Sequence, residues 1–588
     1  RKFVAIAVDN SFSMRTGDRL AQAKQAALSA LSGMGATDRG QIMTFSSSVQ
    51  FLTQPTSDKA ELQRAIQGIQ PGDGRSAYGE VSRTLRSMNQ PDGLPVEAHV
   101  ISDMQLTSMP TPFAELAIPP STKLQLHAVA DKREPNWFVE SVNAPRSIFQ
   151  PKKVRIQAVV GGAGTPPGEL PVELAINGKV LETKKVTLTE SGRATLEFFL
   201  PEAAYGLNRG EIRIPAKDSL AADDRFPFSI ERKESSRILI VHDSRSSRAA
   251  TYAAAAIESV PDAGYTVESL TSDQASNVAP SKFSSVILSD VGTLPASLES
   301  ALNEYVKQGG GVFVALGSST IARGKVPLTG ETIRDARYAS REGERFLTAG
   351  QVDKTHPAAA RAGTLDEVRF YQISNVTTDK SARIIAKLSD GTPLMYERKI
   401  GEGKVLVLTS TLDNVANDLP LHASFVPLME QSAHYLSGFD PVPADYSVDS
   451  FAELRSARDA GSAVDVLDPD GKRAVSLKES AAAQSIRLSR EGFWELRRAN
   501  GRNELIAVHA DRRESDLEVI PKETLALWQG TGSRDGTGGG TSDQTTKPYS
   551  LWWYFALALF AVSIAESIFA SRYLAAERET GNSLRRAA

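Results

Sequence analysis

An aspartate and two serines stand in close series at Asp9, Ser11 and Ser13, directly after the apolar run Phe3-Val4-Ala5-Ile6-Ala7-Val8. A carboxylate and two hydroxyls at alternate positions can all turn inward from one tight loop. Such oxygens are hard ligands, suited to Mg²⁺, Mn²⁺ or Ca²⁺. The spacing alone is weakly specific, because short serine-rich strings recur by chance. Its placement gives it weight.

The apolar run predicts a buried strand, and Asp18 to Met34 predicts a helix behind it. The D-x-S-x-S loop therefore falls at the carboxyl end of a parallel strand, where open α/β sheets bind ligands. Gln41 to Phe45 and Ser48 to Thr53 read as short strands, and Leu62, Ile66 and Ile69 mark one helix face. Ser76-Ala77-Tyr78-Gly79 opens a further helix after the loop Pro71-Gly72-Asp73-Gly74. Ala98 to Ser102 is a strand that runs into a second carboxylate, Asp103, and Leu124 to Ala130 is another apolar strand. Alternating strands and helices predict a doubly wound parallel sheet.

These residues resemble the von Willebrand factor A domain. In that family the corresponding positions form a metal-ion-dependent adhesion site. The resemblance implies Asp9, Ser11 and Ser13 from the first loop, Ser76 from the third and Asp103 from the last as metal ligands, with Mg²⁺, Mn²⁺ or Ca²⁺ as the ion. The family usually carries Thr where this chain has Ser76. Serine keeps the ligand oxygen but lacks the methyl that stiffens the rotamer, which lowers the expected affinity. A similar placement at Asp243-Ser244-Arg245-Ser246-Ser247, after the strand Arg237 to His242, has the wrong spacing and an arginine that would repel a cation. It is expected to be a helix N-cap.

The 588 residues suggest about four domains. The net charge of −3 calls for no nucleic-acid partner. The absence of cysteine excludes disulfides, cysteine nucleophiles and zinc–thiolate sites, but leaves the compartment open. The expected fold is multidomain α/β and β. Residues 1–133 form the A-like domain. Residues 136–231 form an immunoglobulin-like β-sandwich, with Asn177-Gly178 as a hairpin turn. Residues 235–438 form an α/β domain, and 445–520 a small β-domain. Residues 530–548 are a Gly/Ser/Thr-rich tether.

The 235–438 segment resembles the class I glutamine amidotransferase-like fold. The family's nucleophilic cysteine is missing, and Ser318 stands near the same strand end without a G-x-S-x-G frame. A serine hydrolase using Ser318 with His422 or His434 is the alternative reading. A passive periplasmic scaffold with an inactive metal site is another.

Leu551 to Leu574 is apolar enough to be expected as a membrane helix, with Trp552, Trp553 and Tyr554 at one end and Tyr573 at the other. Glu566 within it is costly in lipid, so it is expected near the cytoplasmic interface or against another membrane helix. Arg572, Arg578, Arg585 and Arg586 lie at or beyond its end. They put the 575–588 tail in the cytoplasm and the body of the protein outside it. The start at Arg1, close to strand sequence, implies a preceding signal or membrane segment.

The order of four strings resembles the BatA-type aerotolerance family, membrane-anchored bacterial proteins with an A domain. The strings are Val8 to Met14, Ile101 to Gln105, Asp418 to Pro427, and Arg513-Glu514-Ser515-Asp516-Leu517. The resemblance implies a link with a MoxR-type AAA+ ATPase and with related A-domain proteins. The expected function is non-enzymatic: a metal-dependent binding or assembly factor whose ion is completed by an acidic side chain from a protein partner.

Overall fold

The computed structural model describes residues 1–88, 93–260, 264–338, 346–438, 445–454, 464–498, 503–531, 559–560 and 562–563. The chain divides into two compact units, Arg1–Ser533 and Arg534–Ala588.

The first sheet is built from β1 (Phe3–Asp9), β2 (Arg39–Phe45), β3 (Val49–Phe51), β4 (Val96–Ser102) and β5 (Thr122–Ala128), in the order β3-β2-β1-β4-β5. All pairings are parallel except β2 with β3. Every residue of β1 is buried, as expected for a strand covered on both faces. Its side chains alternate between two cores. Phe3, Ala5 and Ala7 join Tyr78, Val81 and Leu85 on one face. Val4, Ile6 and Val8 meet Ala23, Ala27 and Leu31 on the other. Those last three sit on α1 (Arg19–Ser32) at a spacing of four, so they form one helix stripe. The helices α2 (Lys59–Gln67) and α3 (Tyr78–Ser87) complete the layers.

Chain order reverses at β1, with β2 on one side and β4 on the other. This switch point opens a crevice at the carboxyl ends of β1 and β4. Asp9 ends β1, and Asp103 follows the last residue of β4.

A five-stranded and a three-stranded sheet between Asn136 and Arg232 share one core of Val139, Ile156, Val172, Leu174, Phe198 and Ile212. Asn177 and Gly178, at φ 50° and 82°, turn the hairpin between Gly168–Ile176 and Lys179–Leu188. Positive φ at both turn residues is what a two-residue loop requires there.

An eight-stranded sheet follows. Tyr265–Thr271, Ser236–His242, Ser285–Ser289, Gly311–Ala315 and Gly403–Leu408 run parallel, and three antiparallel strands extend it. Gly492–Arg498 and Glu504–His509 belong to a small four-stranded sheet.

After His509 the chain returns to the first sheet. Gln105 and Val519 form an antiparallel bridge, and the Ile520 N–H donates to the Met104 carbonyl at 2.8 Å. The helix Lys522–Gly530 then inserts Trp528, 1% exposed, into the core beside Tyr78. Their ring centroids are 5.4 Å apart.

The second unit contains few described residues. Leu559, Phe560, Val562 and Ser563 are helical and exposed. Among the described residues no helix is long and apolar enough to cross a membrane. The tether expected at 530–548, apart from its first residues, and the tail expected at 575–588 lie outside the described residues. So does the expected span 551–574, apart from those four positions.

Candidate metal centre

Asp9, Ser11, Ser13, Ser76 and Asp103 are all buried at the crevice between β1 and β4. The structure brings the five together. The loop after β1 winds into a short 3₁₀ turn, Phe12–Arg15, before α1. The Ser11 N–H donates to Asp9 Oδ1 at 2.8 Å, closing the loop on its own carboxylate. The Ser11 and Ser13 hydroxyls lie 3.3 Å apart.

The third loop is tied to the first through its backbone. The Gly72 N–H donates to the Asn10 carbonyl at 2.7 Å, and the Phe12 N–H donates to the Gly74 carbonyl at 2.9 Å. A Cβ on Gly72 would stand 2.8 Å from the Asn10 carbonyl oxygen, so a side chain would push the loops apart. This approach carries Ser76 inward, where its hydroxyl donates to Asp9 Oδ2 at 2.9 Å.

Several further residues complete the site. Ser102, the last residue of β4, donates to Asp9 Oδ2 at 2.6 Å and lies 3.2 Å from the Tyr78 hydroxyl. Arg19 opens α1 and donates through Nη1 to Asp103 Oδ2 at 2.7 Å, with both side chains buried. Glu514 arrives from the returning segment. Its Oε2 accepts the Ser13 N–H at 3.1 Å, and its Oε1 accepts the Ser76 N–H at 3.0 Å and the Ser108 hydroxyl at 3.1 Å.

Sequence reasoning missed Ser102, Arg19 and Glu514. Ser102 was legible as the neighbour of Asp103. Glu514 lies in the string Arg513 to Leu517, but no local pattern says where that string lands.

Asp9, Asp103 and Glu514 are fully buried, and Arg19 is the buried cation that pairs with one of them. Three carboxylates against one guanidinium leave two uncompensated negative charges when all are ionised. Buried charge of that kind is held only by protons or by a cation. Burial, reinforced by the Asp103 and Glu514 charges, pushes the Asp9 carboxyl up to about 7. Burial and then the Asp103 charge raise Glu514 also. The donor set is hard oxygen throughout and its surplus charge matches a divalent ion, so these residues fit Mg²⁺, Mn²⁺ or Ca²⁺. Among the described residues no group of three or more His, Cys, Asp or Glu side chains could hold a metal alone. The set here is mixed, with serine hydroxyls between the carboxylates.

The other candidates do not assemble in this way. Asp243 caps a turn, accepting the Arg245 N–H at 3.2 Å. Ser318 opens a short helix whose N-terminal amides at Ser319 and Thr320 donate to Asp290. His422 pairs with Asp418 at 3.3 Å and His434 with Glu430 at 3.7 Å. Among the described residues neither histidine hydrogen-bonds Ser318.

Residues 4–105 match the von Willebrand factor type A domain. No curated protein sequence matches the chain. Among solved structures, a cytoplasmic protein of Salmonella typhimurium, STM3548, aligns over 34% of this chain and 98% of its own, at 13% identity and a TM-score of 0.27. BatB from Bacteroides thetaiotaomicron aligns over 21% of this chain and 65% of its own, at 22% identity and a TM-score of 0.19. An aerotolerance-related membrane protein of Bacteroides fragilis NCTC 9343 aligns over 21% of this chain and 66% of its own, also at 22% identity and a TM-score of 0.19. These likenesses are partial and loose, and the A-type assignment rests on the sequence match and on the topology of the first sheet.

Proposed function

We propose that this chain is a non-enzymatic binding or assembly factor that uses a divalent ion, held at the A-type domain, to engage a protein partner through an acidic side chain. The observation that carries this reading is the convergence of Asp9, Ser11, Ser13, Ser76 and Asp103 in one buried crevice with surplus negative charge. Asp9 and Asp103 would supply charge, and the three serines would supply neutral oxygens. Ser102 orients the Asp9 carboxylate, and Arg19 orients that of Asp103. The bound ion would supply the positive charge that attracts an incoming carboxylate.

The reading extends to the rest of the chain. Residues 551–574 anchor it in the bacterial inner membrane, with the soluble domains in the periplasm and the C-terminus in the cytoplasm. The amidotransferase-like domain serves as a structural or docking element. The order of strings shared with the BatA-type family supports a link with a MoxR-type AAA+ ATPase and related A-domain proteins.

The test is affinity capture from membranes with Mg²⁺ and with chelator, comparing wild type with Asp9→Ala. A partner set recovered by wild type in Mg²⁺, and lost with chelator or the variant, is expected. The same set in all samples overturns the reading.

A further inference from the structure

Glu514 stands out because it is a fully buried carboxylate that forms no ion pair among the described residues, at a site that already holds the carboxylates of Asp9 and Asp103. Its oxygens are received by the backbone N–H groups of Ser13 and Ser76. These two residues come from different loops, and each also offers a hydroxyl to the site. The placement is not incidental to a loose tail. Gln105 Nε2 donates to the carbonyls of Glu514 and Asp516 at 2.8 and 2.7 Å, and the Thr107 hydroxyl donates to the Arg513 carbonyl at 3.0 Å. Asn136 Nδ2 donates to the Ser515 carbonyl at 3.0 Å. The Arg512 guanidinium lies over the rings of Phe12 and Phe226 and donates through Nε to the Val139 carbonyl. Glu514 is thus aimed into the crevice by a turn fastened on both sides.

A buried carboxylate close to two others is held by a proton, by hydrogen-bond donors or by a cation, and the hard oxygens gathered around Glu514 suit a cation. Arg19 already serves Asp103 and Glu134. We propose that Glu514 is the chain's own acidic ligand to the ion: it takes the position that a partner's carboxylate would take, so the site is closed in this conformation. The proposal rests on the metal reading above. It adds that the first occupant is intramolecular and that a partner must compete with it.

The experiment titrates Mn²⁺, followed by electron paramagnetic resonance, into the full chain in detergent. Wild type, Glu514→Ala, Glu514→Gln and Asp9→Ala are compared, each with and without acetate, and folding is checked by thermal melting. Glu514→Ala is expected to bind Mn²⁺ about 10-fold or more weakly, as loss of a ligand or its close support does. Acetate is expected to restore that affinity in Glu514→Ala, where the position is vacant, and to leave wild type unchanged. Glu514→Gln keeps the shape if the alanine variant fails to fold, and is expected to bind Mn²⁺ weakly without acetate rescue. Wild-type affinity in a folded Glu514→Ala or Glu514→Gln overturns the proposal while leaving the metal site standing. Acetate acting equally on wild type also overturns it. Absence of Mn²⁺ binding by wild type overturns the metal reading itself, and the proposal with it.

Discussion

Glu514 accepts the backbone N–H of Ser13 at 3.1 Å across 501 positions of sequence. A residue of the loop after the first strand and a residue near the far end of the first unit therefore share one hydrogen bond inside the candidate metal centre.

Millimolar Mg²⁺ is expected to raise the melting temperature of the intact protein. An ion that binds only the folded state stabilises by about 2.7 kcal/mol at a hundredfold excess over its Kd. Asp9→Ala should remain folded and lose that gain. Thermal melts with and without metal decide the matter, and identical wild-type curves would refute the site.

A second carboxyl cluster, linked through Asn136 to the segment that carries Glu514, sets a pH dependence. Burial, and then the Asp218 and Asp223 charges, push Asp224 up to about 8. The folded chain therefore holds a proton between pH of about 4 and about 8 that the unfolded chain has released. Stability from this group is present at low pH and is lost as pH rises through that window. Urea melts at several pH values should show the decline in wild type and a flatter profile in Asp224→Asn. Equal slopes would show that Asp224 ionises normally.

Trp528→Ala should destabilise the first domain by about 3–5 kcal/mol, the usual cost of emptying a buried aromatic site. Trp528 Nε1 is buried without a hydrogen-bond partner among the described residues, so Trp528→Phe is expected to give up no polar contact there and to cost less. Denaturant unfolding followed by tryptophan-independent circular dichroism measures both.

The orientation expected for residues 551–574 predicts an inactive alkaline phosphatase and a bright fluorescent protein when each is fused after Ala588. The reverse pair would invert the topology.

Much of the first domain was legible because its signals are local. Continuous burial made β1 readable, and D-x-S-x-S fell where a strand meets a helix. Ser76 was found through its position ahead of α3, although a serine there is an ordinary residue. The Asn177-Gly178 hairpin was readable because two-residue turns demand particular residues. Arg19 was not, because a charged residue in a first helical turn ordinarily faces solvent. Glu514 and Trp528 were invisible for a different reason. Their roles depend on where the chain returns after several intervening sheets, and no periodicity encodes that.

The Tyr78–Trp528 contact also has a consequence during synthesis. The last strand of the first sheet ends at Ala128, yet the residue that seals its core emerges roughly 400 residues later. At about 5–20 residues per second, the ribosome needs on the order of 20–80 s to deliver it. Through that interval the core around Tyr78 lacks the cover that Ile520 and Trp528 later give it. A stop codon anywhere between these points would leave the A-type domain unsealed, however complete its five strands.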